Sequence, residues 1–470
     1  MLEEYPSIHL HLGWIPDEPI LRINRAQGMI FRTHSGDVQV LAKRVLDATE
    51  MGDLLPMFGA EHSLGAESRL QTGEPDAPAS AKPEWIQPIT VPLAVELRPR
   101  GEDHRIPMPP NYAHWRQVQN YHVLDGAMDG MFDTPSAWWT YRRVLAAGRF
   151  RDPRIPCDVS MINTPSNDYM GGAVPSEDPE RDALHMRQAR EVSLGYLYWL
   201  QNECPRHDSA GEYGYPELRL RADWFDTEDG LPPQPYVRES RRILAHTVLL
   251  QQQLAKCDFS GAALNSGVRA EPFADACAIG HYWLDIHRGA GGEEARLAET
   301  LPFQIPLGAL VPRRLRSLLA AGKCLGATHL ANGAVRLHPI EWAVGEAAGT
   351  LAAYCVQHRL EALEVLEEKS HIHSVQDMLL YHGAPLFWWC DLTSEDKCFA
   401  AANRLALRGV WPVEEEPLEF RAAELPSPAL RHRLMETTGV RLPHDADRGA
   451  VAQILDRELH NRSAAASPQG

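Results

Sequence analysis

The stretch from Leu318 to Tyr354, LLAAGKCLGATHLANGAVRLHPIEWAVGEAAGTLAAY, constrains the fold of this chain more than any other. Leu318–Ala321 is a short apolar run closed by Gly322, the pattern of a buried strand end. A helix is predicted from about Pro339, because proline suits a first turn whose N–H needs no partner. Within it Gly345, Ala348, Gly349 and Ala352 recur at i, i+3, i+4 and i+7 and share one face. A glycine costs a helix interior roughly 1 kcal/mol against alanine, so two of them on one face imply close approach by something. Tight packing on a sheet would satisfy the pattern, and so would another group laid against the helix.

A chain of 470 residues can bury a large core and divide into about two or three domains. With 46 basic against 63 acidic residues its net charge is −17, which argues against general binding to nucleic acid or to an anionic membrane. No apolar run is long enough to span a bilayer. The start, MLEEYPSIHL, has neither the basic flank nor the apolar centre of a signal peptide, so a soluble, cytoplasmic protein is expected. The 8 cysteines are scattered without a CxxC, which favours reduced, buried thiols over a metal site.

Residues 5–50 alternate short β-like runs with turns, and Ser35-Gly36-Asp37 reads as a hairpin turn. The last run enters LAKRVLDATEMGDLLPMFGAE, a strand ending at Asp47-Ala48-Thr49, then Gly52-Asp53 and a helical LLPMFG that Asp53 could cap. Residues 61–110 are rich in proline and charge, an excursion in which Glu67 and Arg69 are either site candidates or surface ion pairs. Asp182–Asn202 is periodic enough for a long helix. Around it aromatics recur, Trp138, Trp139, Tyr196 and Trp199 among them, as core or as cavity lining.

Three further clusters carry chemistry. Asn163–Tyr169 is a dense polar run, N-T-P-S-N-D-Y. YVRESRRILAH, residues 236–246, would put Arg238 and Arg242 on one helix face, where guanidinium groups could clamp an anionic substrate or join a salt-bridge network. In strand spacing His281, Trp283, Asp285 and His287 point one way, so Asp285 and His287 could act as a base and its orienting partner. Structural hydrogen bonding is the alternative there, and a metal would need a third ligand that is not evident.

Taken together, A-G-K-C-L-x-A-T-H, V-R-x-x-P, G-x-A-A-G-T-x-A-A, D-A-T-x-x-G-D and Y-x-R-E-S-R-R-I resemble the bacterial FAD-dependent oxidoreductase family. The resemblance implies FAD as cofactor, with the Pro339 helix start against the pyrimidine end of the flavin. Reduced flavin is electron-rich there, and a helix start offers free N–H groups and a positive dipole. By the same resemblance Ala48, Thr49, Asp53, Gly322, Cys324, His329, Gly333, Arg336 and Pro339 lie on the flavin side. Arg238, Arg242, Asp285 and His287 handle substrate and proton. Glu50 stands where many flavoproteins have glycine.

The family's G-x-G-x-x-G strand–turn–helix is not seen before Asp47, and Gly289-Ala290-Gly291-Gly292 lacks the strand and helix that would make it a substitute. The chain therefore reads as truncated, as one part of a split enzyme completed by a separate chain, or as a member that does not hold FAD by itself. The expected fold is α/β: an incomplete FAD/NAD(P)-binding Rossmann-like domain (residues 1–60 and 301–365), an inserted α+β substrate domain (61–300) and a small helical C-terminal domain (375–462). That last part resembles an S-layer-homology-type unit, or is a packed helical appendage. The expected reaction is hydride transfer from a small organic substrate to flavin. The rival reading is a flavin-less binding or scaffold protein derived from the family, carbohydrate- or cell-wall-associated; a third is carbohydrate binding through Trp138/Trp139 and Trp388/Trp389.

Overall fold

In the computed structural model, which describes residues 4–123, 138–413 and 417–466, the strand Leu318–Ala320 runs parallel beside Val45–Asp47. The register pairs Leu318 with Val45, Leu319 with Leu46 and Ala320 with Asp47. Two stretches far apart in sequence thus meet as hydrogen-bonded neighbours. Both lie in a unit made of Met1–Ala81, Ser240–Asp285 and Leu297–Gly470; a second unit comprises Lys82–Glu239 and Ile286–Arg296. Residues 240–285, inside the span expected for a substrate domain, belong to the first unit. Their strands hold them there: Arg242–Ile243 pairs with His62–Ser63, and Ala276–Gly280 pairs with Phe303–Pro306.

The first unit opens on an antiparallel sheet of Ile15–Arg22, Arg25–Thr33 and Gly36–Leu41, with Thr33 opposite Gly36 across the expected hairpin turn. Gly28 in the middle strand has φ +149°, and a Cβ there would lie 2.0 Å from the carbonyl oxygen of Val40. Gly28→Ala should therefore lower unfolding stability by about 3 kcal/mol, combining backbone strain with overpacking. A denaturant curve matching the parent's would contradict that.

The helix His338–His358 carries proline in its first turn and ends at Arg359 in the left-handed region. Ile340, Val344, Ala347, Ala348 and Leu351 are buried along one stripe. Each large aliphatic in such a stripe contributes about 1.5–3 kcal/mol of burial. The glycine face divides: a Cβ at Gly345 would make an ordinary 3.6 Å contact with the Ala321 carbonyl, whereas one at exposed Gly349 would meet nothing within 4 Å. Packing on the sheet therefore does not require Gly349. Further along, Phe399–Leu407, Pro428–Thr438 and Arg448–Ala466 are helices. Trp389, Trp411, Phe420, Leu434 and Leu455 form a hydrophobic cluster of their own there.

In the second unit four strands lie in the order Arg143–Leu145, Val159–Ile162, Leu93–Leu97, Leu218–Leu220, all antiparallel. The helix Pro179–Asn202 is capped by Asp178, whose carboxylate accepts from the Glu180 and Arg181 amides. Val192, Tyr196, Leu197 and Leu200 are buried on it. Trp138 and Trp139 are buried too, as is Trp389 in the first unit. Those three rings offer no face to a sugar, while Trp388 is half-buried. Among the described residues no helix is long and apolar enough to cross a membrane.

Candidate active site

Thr90 is the pivot of the second unit. Its backbone pairs with Tyr236, donating to that carbonyl at 3.1 Å and accepting from that amide at 2.7 Å, and forms an antiparallel bridge with Asp168 as well. Its neighbour Ile89 accepts from the Tyr169 amide at 2.9 Å. This pairing aligns the polar run Asn163–Tyr169 with the Arg238 segment. Residues 236–246 are extended and irregular rather than helical, because Tyr236 and Arg242–Ile243 each spend their backbone groups on a neighbouring segment. A shared helical face for Arg238 and Arg242 does not form, and each arginine meets its own carboxylate.

That of Arg238 is Asp168. The guanidinium lies 2.9 Å from Asp168 Oδ1, with side-chain exposures of 2% and 4%. It also donates to the Pro88 carbonyl at 2.7 Å, to Thr90 Oγ1 at 2.7 Å and to Asn163 Oδ1 at 3.1 Å. Thr90 Oγ1 passes its own hydrogen to Asp168 Oδ1. The other carboxylate oxygen, Oδ2, is 2.8 Å from Nδ1 of His287. Gln87 Oε1 accepts from the His287 backbone amide at 3.3 Å.

Burial alone would push the Asp168 carboxyl up. The Arg238 charge and the hydrogen bonds from His287 and Thr90 outweigh it and hold the group below its ordinary range. An ionised carboxylate only accepts, so Nδ1 of His287 carries its hydrogen toward Asp168 and Nε2 becomes the basic nitrogen. The imidazole is the outward member of the chain, 19% exposed. The sequence reading offered Asp285 as the partner of His287; the carboxylate at Nδ1 is Asp168. Asp285 instead meets Arg336 Nη2 at 2.9 Å and the Tyr282 hydroxyl at 3.1 Å, all within the first unit.

The remaining expected residues belong to the first unit. Buried Asp47 accepts from the Thr49 amide at 3.0 Å, the Thr49 hydroxyl at 2.7 Å and the Leu54 amide at 3.1 Å, which folds the chain back after Ala48. Asp53 pairs with Arg241 at 3.2 Å. Cys324 is buried with its thiol against the Asp47 carbonyl, and burial pushes that thiol up. Arg242 is buried against Glu67 at 3.0 Å, and Glu67 also accepts from the His329 amide at 2.9 Å. Arg69, by contrast, is exposed and bonds the nearby Pro75 carbonyl. Gly333 is buried inside the short helix His329–Val335.

Lys323 is buried between Glu50 and Glu341, the latter at 3.3 Å in the first turn of the His338–His358 helix. This pairing accounts for an acid at position 50. Sequence reasoning passed over Asp168's role, Thr90, Gln87 and the buried acid Glu74, which accepts from the Gln251 amide at 2.7 Å. Only the polar density of Asn163–Tyr169 signalled Asp168.

The family model described as FAD dependent oxidoreductase matches residues 1–379. The chain belongs to that family. No curated protein matches it, and no solved structure does. The family's FAD can be tested against the first unit. Ala48 and Gly322 follow the carboxyl ends of adjacent parallel strands, the position where α/β sheets take ligands. A Cβ at Gly322 would meet only the Ala48 Cα, at 3.9 Å, so the strand ends are open. Lys323 and Arg336 already have carboxylate partners, so in this unit the start of the His338–His358 helix is the group that offers N–H donors to the electron-rich edge of a flavin. These residues fit the flavin end of FAD.

Proposed function

We propose that this family member oxidises a small organic substrate by removing a hydride and a proton, and that His287 receives the proton. The buried Arg238–Asp168–His287 chain is the observation that carries this reading. Ala48, Gly322 and the helix start at Pro339 would hold the flavin end, with Lys323 and Arg336, paired to carboxylates, in positioning roles, and bound FAD would supply a two-electron acceptor. For a group H–C–O–H, the hydride leaves carbon with its electron pair, the proton leaves oxygen for Nε2, and a carbonyl remains. Asp168 fixes the tautomer that can accept that proton and stabilises the imidazolium that results. Arg238 keeps Asp168 ionised despite burial; its charge is neutralised there, so it is assigned to positioning rather than to clamping substrate. Arg242, held by Glu67, is assigned likewise.

The test is anaerobic reduction of the FAD-loaded protein by a panel of small alcohols, hydroxy acids and amines. Loss of the oxidised flavin spectrum with at least one class, saturating in substrate, is expected. Loaded protein that no member of the panel reduces faster than free FAD would count against the proposal.

A further inference from the structure

We propose a second ligand site at the amino ends of the strands Val45–Asp47 and Leu318–Ala320, for a small anion bearing a diphosphate. A cavity of about 670 Å³ lies there, lined by Arg25, Lys43, Arg44 and Arg359, with Glu361 as the lining carboxylate. Four cations against one acid leave three formal positive charges. An adjoining cavity of about 380 Å³ shares Glu361 and adds Arg313, Arg314 and Arg316. In a chain of net charge −17 this is a local inversion of sign, and concave basic surfaces concentrate anions.

The cations are mounted on a fixed frame. The Ala26 amide bonds the Arg316 carbonyl at 3.0 Å, tying the two cavities' walls together. Arg44 bonds Ser317 Oγ at 3.3 Å and the Leu360 carbonyl, while its buried Nε has no protein acceptor. Glu361 serves Arg25, Ser317 Oγ at 3.2 Å and Arg44 at 3.5 Å, so one carboxylate is shared by two guanidinium groups. Lys43 and Arg359 are exposed at the rim. An incoming anion would complete charge pairing that Glu361 leaves partial.

Strand direction separates this site from the flavin end. Arg44 and Ser317 precede the first residues of the parallel pair, whereas Ala48 and Gly322 follow its last. Three residues of strand span about 10 Å. The volume suits a small molecule, and forked guanidinium groups with three net charges favour a diphosphate over a lone carboxylate. Nucleic acid is disfavoured by the acidity of the chain as a whole.

Isothermal titration of the full chain with inorganic pyrophosphate, and in parallel with ADP, at constant ionic strength tests the site. One saturable pyrophosphate site is expected. The double variant Lys43→Glu/Arg359→Gln should weaken it by about ten-fold or more, while His287→Ala binds as the parent does, which separates this proposal from the catalytic one. Should the double variant melt early, Arg359→Gln alone gives the same readout with a smaller loss. ADP binding tighter than pyrophosphate would show that the ligand carries a nucleoside; equal affinity would confine recognition to the phosphates. No saturable pyrophosphate binding, or binding that neither variant weakens, overturns the site.

Discussion

Replacing Asp168 with alanine should destabilise the protein by about 3–5 kcal/mol, because it strands the Arg238 guanidinium in the interior without its carboxylate. The substitution removes three interactions together: the ion pair, the Thr90 hydroxyl bond and the His287 bond. Asp168→Leu combined with Arg238→Met should recover much of the loss, since no charge is then left buried. The effect also has a pH signature. The folded carboxyl titrates below its unfolded value near 3.9, so its contribution is fully present above about pH 4 and disappears as pH falls through the folded value. Asp168→Asn should accordingly flatten the acid limb of the stability profile. Denaturant melts over that range check both points. A loss under about 1 kcal/mol for Asp168→Ala would mean the pair is dispensable, in the range of an exposed ion pair.

Much of the first unit could be read from the sequence because its signals are local. The apolar run closed by Gly322, the proline opening the His338–His358 helix and the Ser35-Gly36-Asp37 turn each specify their own backbone. Asp182–Asn202 was legible for the same reason, as a continuous helical period within Pro179–Asn202. The parallel pairing of Val45–Asp47 with Leu318–Ala320 is non-local, and family resemblance rather than periodicity brought those strands together.

The candidate site was only half legible. His287 and Arg238 stood out by residue type, but the carboxylate between them comes from a loop with no periodicity to place it. Asp285, two residues from His287, was the natural partner on paper; Arg336 and Tyr282 take it instead. The arginine cluster misled because helical spacing was assumed where inter-segment hydrogen bonds keep the chain extended. Trp138 and Trp139 illustrate the converse: aromatic density reads alike for a binding platform and a core, and only burial decides.

The second large effect concerns His287 itself, and it bears on the central claim that this imidazole receives the substrate proton. General acid–base groups contribute on the order of 10²–10⁴ in rate. The deciding measurement is single-turnover reduction of the FAD-loaded His287→Ala variant, taken with its FAD dissociation constant and a pH profile. The account predicts reduction slowed by roughly 10²–10⁴ at neutral pH, FAD affinity within about two-fold of the parent, and partial recovery as pH rises and solvent base takes over. Reduction at the parental rate, or a slowing matched by an equal loss of FAD affinity, would contradict it.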